Sequence, residues 1–206
     1  MDNPHALAQT IRDCRICRDA PMQPRALPHE PRPVLVTSAT ARICIAGQAP
    51  GARVHASGKP FDDRSGQRLR VWMGVTPVQF YDPELFAIVP MGFCFPGYDA
   101  NGSDIPPRRE CRATWHDRVF DTMPQLELVL AIGAYAQRYH LGRDRSPSMT
   151  ETVSRWRDHL SRNERPAVLP LPHPSWRNTG WLRSNPWFED EVVPVLRERV
   201  NALTLR

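Results

Sequence analysis

Four short apolar runs set the limits of this fold: Ile43–Ala46, 85–89, Leu128–Ile132 and Ala167–Leu171. Runs of this kind, apolar at every position, read as strands buried on both faces. Gly47 ends the first, Pro90 the second and Gly133 the third, and the fourth opens onto a loop that begins at Pro172. The intervening segments are long enough for helical crossovers. Strands alternating with helices imply a mainly parallel sheet covered on both sides. The expected class is α/β: a single-domain α/β/α sandwich on a small, mainly parallel four-stranded sheet.

Helices are expected over 6–14, 65–73, 110–123, 133–140, 150–162 and 189–203. The second carries Leu69, Trp72 and Met73 at helical spacing, and the last must place Pro194 in its first turn or at a kink. Residues 48–61 and 95–107 read as loops, the second being rich in Gly, Pro, Asn and Asp. No internal repeat divides the 206 residues. One domain over 1–206 is expected, with 1–40 as a proline-rich lead-in. Ligands of such sheets bind beyond the carboxyl ends of the strands, so Gly47, Pro90 and His173 should share one rim.

The net charge of +5 and a pI near 9.3 favour a polyanionic partner. Lys59 is the only lysine; the other cationic side chains are arginines, suited to bidentate phosphate contacts, although a GC-rich genome imposes the same bias. No run is long enough to span a membrane, and no charged-then-apolar start resembles a signal peptide. A bacterial cytoplasmic protein, monomeric and not membrane-bound, is expected. In that reducing setting spaced cysteines read as metal ligands. Cys14 and Cys17 form a C-x-x-C pair, and Cys94 and Cys111 flank the polar loop. Arg15, Arg18 and Arg112 adjoin them and favour thiolates. Four thiolates suit either zinc or a [4Fe–4S] cluster. Cys44, inside a strand, reads as core.

Gly47-Gln48-Ala49-Pro50-Gly51 is a tight turn without either nucleotide-loop spacing. Downstream, Pro60 fixes Phe61 beside Asp62 and Asp63 at a helix start. One acid is expected to cap that helix, leaving the other to face a pocket. His173 follows the fourth run between two prolines; it either packs its own loop or carries chemistry. Trp176-Arg177-Asn178 then offers an aromatic and a cation suited to wedging into stacked bases.

Taken in order, these pieces resemble the uracil-DNA glycosylase superfamily, in particular its iron–sulfur branches. The resemblance rests on Cys14-x-x-Cys17, Gly47-Gln48-Ala49-Pro50-Gly51 and Gly58-Lys59-Pro60-Phe61. It continues through Cys94 and Cys111, Ile132-Gly133-Ala134-Tyr135-Ala136 and His173-Pro174-Ser175. It implies a [4Fe–4S] cluster on the four cysteines and a substrate of uracil-containing DNA, single- or double-stranded. It implies that Phe61 stacks on a flipped base, that the turn from Gly47 through Gln48, Ala49 and Pro50 to Gly51 holds that base, and that His173 stabilises the departing uracil anion. A carboxylate would stabilise the sugar cation and orient water.

The chain departs from the family in several places. Ala49 stands where several branches carry Asp or Asn. The acid is therefore expected at Asp63, in Asp63-Arg64-Ser65-Gly66, with Asp62 second and Gln48 able to position water. Pro90 stands where an Asn reads the uracil edge; the backbone around Met91 and Gly92, or Asn101, is the expected substitute. Gly51 replaces the tyrosine that excludes thymine in the best-known branch, so thymine is excluded from elsewhere or the base range is broader. The segment 95–110 has no histidine, and only Lys59 and the N-terminus supply amines. A hydrolytic, monofunctional enzyme without a covalent product is expected. Ser175, Trp176, Arg177, Asn178 and Arg183 are the expected DNA contacts, with salt-sensitive binding. The alternatives are a glycosylase for another deaminated or mismatched base, a non-catalytic binder of uracil or abasic DNA, and a zinc-stabilised nucleic-acid module.

Overall fold

Every pairing between strands of the sheet is parallel. A computed structural model describes residues 3–162 and 165–205. Its strands are β1 (Ile43–Ala46), β2 (Phe86–Ile88), β3 (Leu128–Ile132) and β4 (Ala167–Leu171), in the order β2-β1-β3-β4. Ile43 pairs with Phe86 on one side and Leu128 on the other, and Leu128 pairs with Ala167. All four apolar runs are strands, and β4 lies at an edge, which lets Pro170 omit a ladder N–H opposite Ala131.

Strand alternation sorts the core into two layers. Ile43, Ile45, Phe86, Ile88, Leu130 and Ile132 face Leu69, Trp72, Phe188 and Leu196. On the other side Cys44, Ala46, Ala87, Val129 and Ala131 face Leu7, Ile11, Phe93, Trp115 and Val119. Large side chains fill the first layer, whereas small ones in the second let the helices approach closely. Cys44 is fully buried, which pushes its thiol up to about 12 and makes it the core residue expected. Among the described residues no helix is long and apolar enough to cross a membrane.

Several expected helices have different limits. The segment 48–61 contains a short helix, Ala52–Ser57, and Thr76 starts another over Pro77–Phe80 through a capping box with Gln79. The helix expected over 110–123 is interrupted by a π-turn at Arg112–His116. The 150–162 segment is two helices, Met149–Ser154 and Trp156–Leu160. The last helix is Val193–Thr204, with Pro194 in its first turn, preceded by a π-turn at Phe188–Val192. Proline cannot donate the N–H that an uninterrupted helix would need there.

Burial also holds two imidazoles neutral. His116 stacks on Phe93 and is lowered to about 4, and His140 packs edge-on against Phe120 and is lowered to about 3. Unfolded histidine titrates near 6.5. Below that pH the unfolded chain takes up protons that the folded chain refuses. The stabilisation is complete above about pH 6.5 and is lost as pH falls toward the folded values, by up to roughly 1.4 kcal/mol per pH unit for each ring. The thermal midpoint is expected to drop steadily between pH 6.5 and 4, and His140→Phe to flatten that slope. An equal slope in the variant would remove His140 from the account.

Candidate active site

The turn after β1 is held from behind. The Met91 N–H donates to the Gly47 carbonyl at 2.9 Å and the Gly92 N–H to the Gln48 carbonyl at 3.0 Å. The chain leaving β2 therefore runs alongside the turn, as the shared rim required. These two N–H groups are occupied, so they cannot read a base edge; Met91 is also buried. Asn101 lies on the exposed turn of a hairpin, where its N–H donates to Asp99. Ala49 and Gln48 are half-buried and Pro50 is buried, and Gly51 leads into Ala52–Ser57. The direction in which a Gly51 side chain would point is open for at least 4 Å.

Phe61 stands over this turn. A Cβ on Gly47 would lie 3.4 Å from the tip of the Phe61 ring, which meets Phe80 edge-on with centroids 6.0 Å apart. Among the described residues Phe61 is the one non-glycine with positive φ, at 53°. Such backbone is costly and persists only where its surroundings enforce it. Here the Phe61 carbonyl accepts from the Tyr81 hydroxyl at 3.3 Å and from Arg70 at 3.5 Å. A Cβ on Gly66 would fall 1.9 Å from that same oxygen, so only glycine admits this approach. The Lys59 ammonium lies 4.0 Å over the Tyr81 ring. The other amine, that of Met1, lies outside the described residues.

Asp63 is the N-cap of the helix Arg64–Met73, its Oδ1 accepting the Gly66 N–H at 2.8 Å. The two acids do not divide the work as expected. The capping acid is also the one whose charge acts on His173, whereas Asp62 acts on Tyr81 ahead of Asp63. His173 Nδ1 accepts the Ser175 N–H at 3.2 Å, which assigns the proton of the neutral ring to Nε2. Burial holds His173 below its ordinary value, and Asp63 and Asp104 oppose that shift. Sequence reasoning missed Asp104; the Asn101-Gly102 hairpin signal in its loop could have found it.

The His173 loop is knit internally. Asn178 donates to the His173 carbonyl at 2.7 Å, and Arg68 donates to the Ser175 carbonyl at 3.0 Å and to Thr179 at 3.2 Å. Gln137, buried in the helix Gly133–Leu141, donates to the Leu171 carbonyl just before the loop. Asn178 and the Ser175 backbone are thus already engaged. Trp176 is 70% exposed, with the Arg177 guanidinium 5.9 Å from its ring centroid. Arg183 is exposed and lines a cleft with Arg68, but also with Glu189 and Asp190, which offset its charge. Arg68 was not foreseen, because its partners lie more than a hundred residues away.

The four spaced cysteines converge electrostatically. The interaction between Cys17 and Cys111 holds Cys17 below and Cys111 above the ordinary thiol range. Burial pushes Cys94 up to about 12, and its sulfur also feels Cys17 and Cys14. Two of the sulfurs receive an N–H: Trp115 Nε1 at 3.4 Å on Cys14 and the Phe93 backbone at 3.3 Å on Cys111. The adjoining arginines expected to favour thiolates are used elsewhere. Arg15 and Arg18 pair with Glu30, and Arg112 lies over Tyr139. The guanidinium at the sulfurs is Arg108, buried and paired with Glu110 at 2.5 Å. Among the described residues no group of three or more His, Cys, Asp or Glu is placed so that it could hold a metal ion.

The ordered arrangement of turn, aromatic and histidine loop is matched by a known family. The sequence pattern of the Uracil DNA glycosylase superfamily fits residues 35–197. The chain belongs to the uracil-DNA glycosylase superfamily. Its general chemistry is therefore that of a DNA glycosylase, a hydrolase of N-glycosidic bonds. The match takes in all four strands and the His173 loop of this glycosylase. It starts after Cys14 and Cys17, so the first cysteine pair stands outside it.

Proposed function

We propose that this glycosylase hydrolyses the N-glycosidic bond of uracil flipped out of DNA, leaving an abasic site. The observation that carries this reading is the Phe61 ring fixed over Gly47, with the charge of Asp63 acting on His173. A flipped base would stack on Phe61. Among the described residues the N–H groups of Gln48, Ala49 and Gly51 are not taken up by other carbonyls and remain for the base. His173 Nε2–H would donate to the uracil oxygen as negative charge develops there. Asp63 would face the deoxyribose with the oxygen that does not cap the helix, stabilising positive charge and orienting the attacking water. Lys59, held on Tyr81, fits hydrolysis without a Schiff base. Trp176 and Arg177 are the exposed pair suited to the gap left in the stack and to the phosphates.

The cysteine donors fit a [4Fe–4S] cluster held by Cys14, Cys17, Cys94 and Cys111. The N–H groups on the Cys14 and Cys111 sulfurs are the kind of hydrogen bonding that tunes thiolate-bound iron, and a polynuclear cluster spreads its ligands more widely than a single ion does. Bound there, a cluster would cross-link the lead-in to the loop that runs beside the base pocket. Purified protein is expected to be brown, with an absorbance shoulder near roughly 400 nm. Cys17→Ser is expected to lose it; a colourless, zinc-loaded, active protein would reverse this assignment.

Incubation with a single-uracil oligonucleotide followed by alkali is expected to cut the strand at the uracil. An uncut strand with tight abasic-DNA binding would favour a non-catalytic binder. The open space at Gly51 supports a second reading, a base range wider than uracil. Hypoxanthine and thymine-mismatch duplexes in the same time course decide between the two.

A further inference from the structure

Asp63 and His173 sit on separate elements: the acid caps the helix Arg64–Met73, and the imidazole lies in the loop after β4. Arg68 joins the two. It stands on that helix five residues beyond the cap, a rise of about 7.5 Å. Leu69, Trp72 and Met73 anchor the helix in the core. From this fixed base the half-buried Arg68 guanidinium forks. Nη1 donates to the Ser175 carbonyl at 3.0 Å and Nη2 to the Thr179 hydroxyl oxygen at 3.2 Å. Those acceptors bracket the one-turn helix Trp176–Asn178. Ser175 is also the residue whose N–H holds His173 Nδ1 at 3.2 Å, and Asn178, inside the bracket, donates to the His173 carbonyl at 2.7 Å. His173 is thus tied at two points to a turn whose two ends are held by one planar cation. A guanidinium presents its donors in a rigid fork, so the two ends are set relative to each other as well as to the helix.

We propose that Arg68 is a positioning residue for base release, setting the His173 imidazole at its working distance from the acid that caps the same helix. This rests on the base-excision reading above, in which Nε2–H meets the uracil oxygen while Asp63 faces the sugar. Both groups must meet one nucleotide at once, and a displacement of about 1 Å in such a pair costs up to about a hundredfold in rate. The competing role for an arginine at this rim is a phosphate contact. Both terminal nitrogens of Arg68 are already committed within the protein, which favours positioning.

The test is single-turnover excision from a single-uracil duplex at saturating enzyme, run well below every thermal midpoint, with abasic-duplex affinity measured in parallel. Arg68→Met is expected to slow base release about tenfold to a hundredfold, with affinity within about threefold of the parent. Arg68→Lys keeps the charge and can meet one of the two acceptors, so it should be faster than Arg68→Met. In the His173→Ala background Arg68→Met should cost less than about twofold, because the ring it positions is gone. Thr179→Val leaves the arginine in place and removes one acceptor; it should slow release about threefold to tenfold. If Arg68→Met does not fold, a Thr179→Val rate within about twofold of the parent overturns the proposal. An equal cost of Arg68→Met with and without the imidazole also overturns it, as does an Arg68→Met rate within about twofold of the parent. So does weakened affinity at an unchanged saturated rate, the mark of a phosphate contact. Each of these leaves the excision reading standing, whereas a parent protein that releases no base from any duplex overturns both.

Discussion

Asp63→Asn is expected to slow base release about a hundredfold or more while leaving the fold as stable as the parent. Asparagine caps helices as well as aspartate does, so the bond to Gly66 survives and only the charge beside His173 is lost. Asp63→Ala removes both functions. It is expected to match the asparagine variant in rate and also to lose about 1 kcal/mol of stability. Single-turnover excision together with thermal melting separates the two effects. Near-parental turnover in Asp63→Asn would reduce this residue to a cap and return Asp62 as the candidate.

His173→Ala is expected to lower base release by about a hundredfold to a thousandfold, the cost of removing one preorganised donor from developing negative charge. Abasic-DNA affinity should hold, because that donor has no charged oxygen to meet once the base has left. His173→Gln keeps an N–H and is expected to recover part of the rate. The alanine variant must be compared by melting, since the imidazole also accepts the Ser175 N–H and shapes its loop. Unchanged turnover would confine the ring to that structural contact.

The strands were legible because burial on both faces makes a parallel strand apolar at every position; the segment 192–196 carries a similar run but is helical. That one of Asp62 and Asp63 would cap a helix was legible for a similar local reason. The helix Ala52–Ser57 was not, because it buries only Val54 and shows no periodicity. Thr76 and Gln79 did carry a capping-box signal for the next short helix. At the site, strand-end logic put Gly47, Pro90 and His173 on one rim, while the roles of Phe61 and Asp63 came from the family resemblance. The sequence could not show that one acid would serve cap and pocket together. Nor could it show that Arg15 and Arg18 would be drawn to Glu30, since competition between nearby charges is decided by three-dimensional spacing. Arg68, Tyr81 and Gln137 act through partners distant in sequence, and no local pattern marks them.

Phe61 is locked before any base arrives: its carbonyl is filled from two sides, its ring is braced by Phe80, and the glycine beneath it admits no adjustment. A receptor this stiff gains little by moulding itself to what enters. Discrimination in such an enzyme would then fall on the nucleotide, on how often and for how long it swings clear of the helix unaided. Weakly paired lesions would be captured early and firmly paired ones late, even where the two bases are chemically identical.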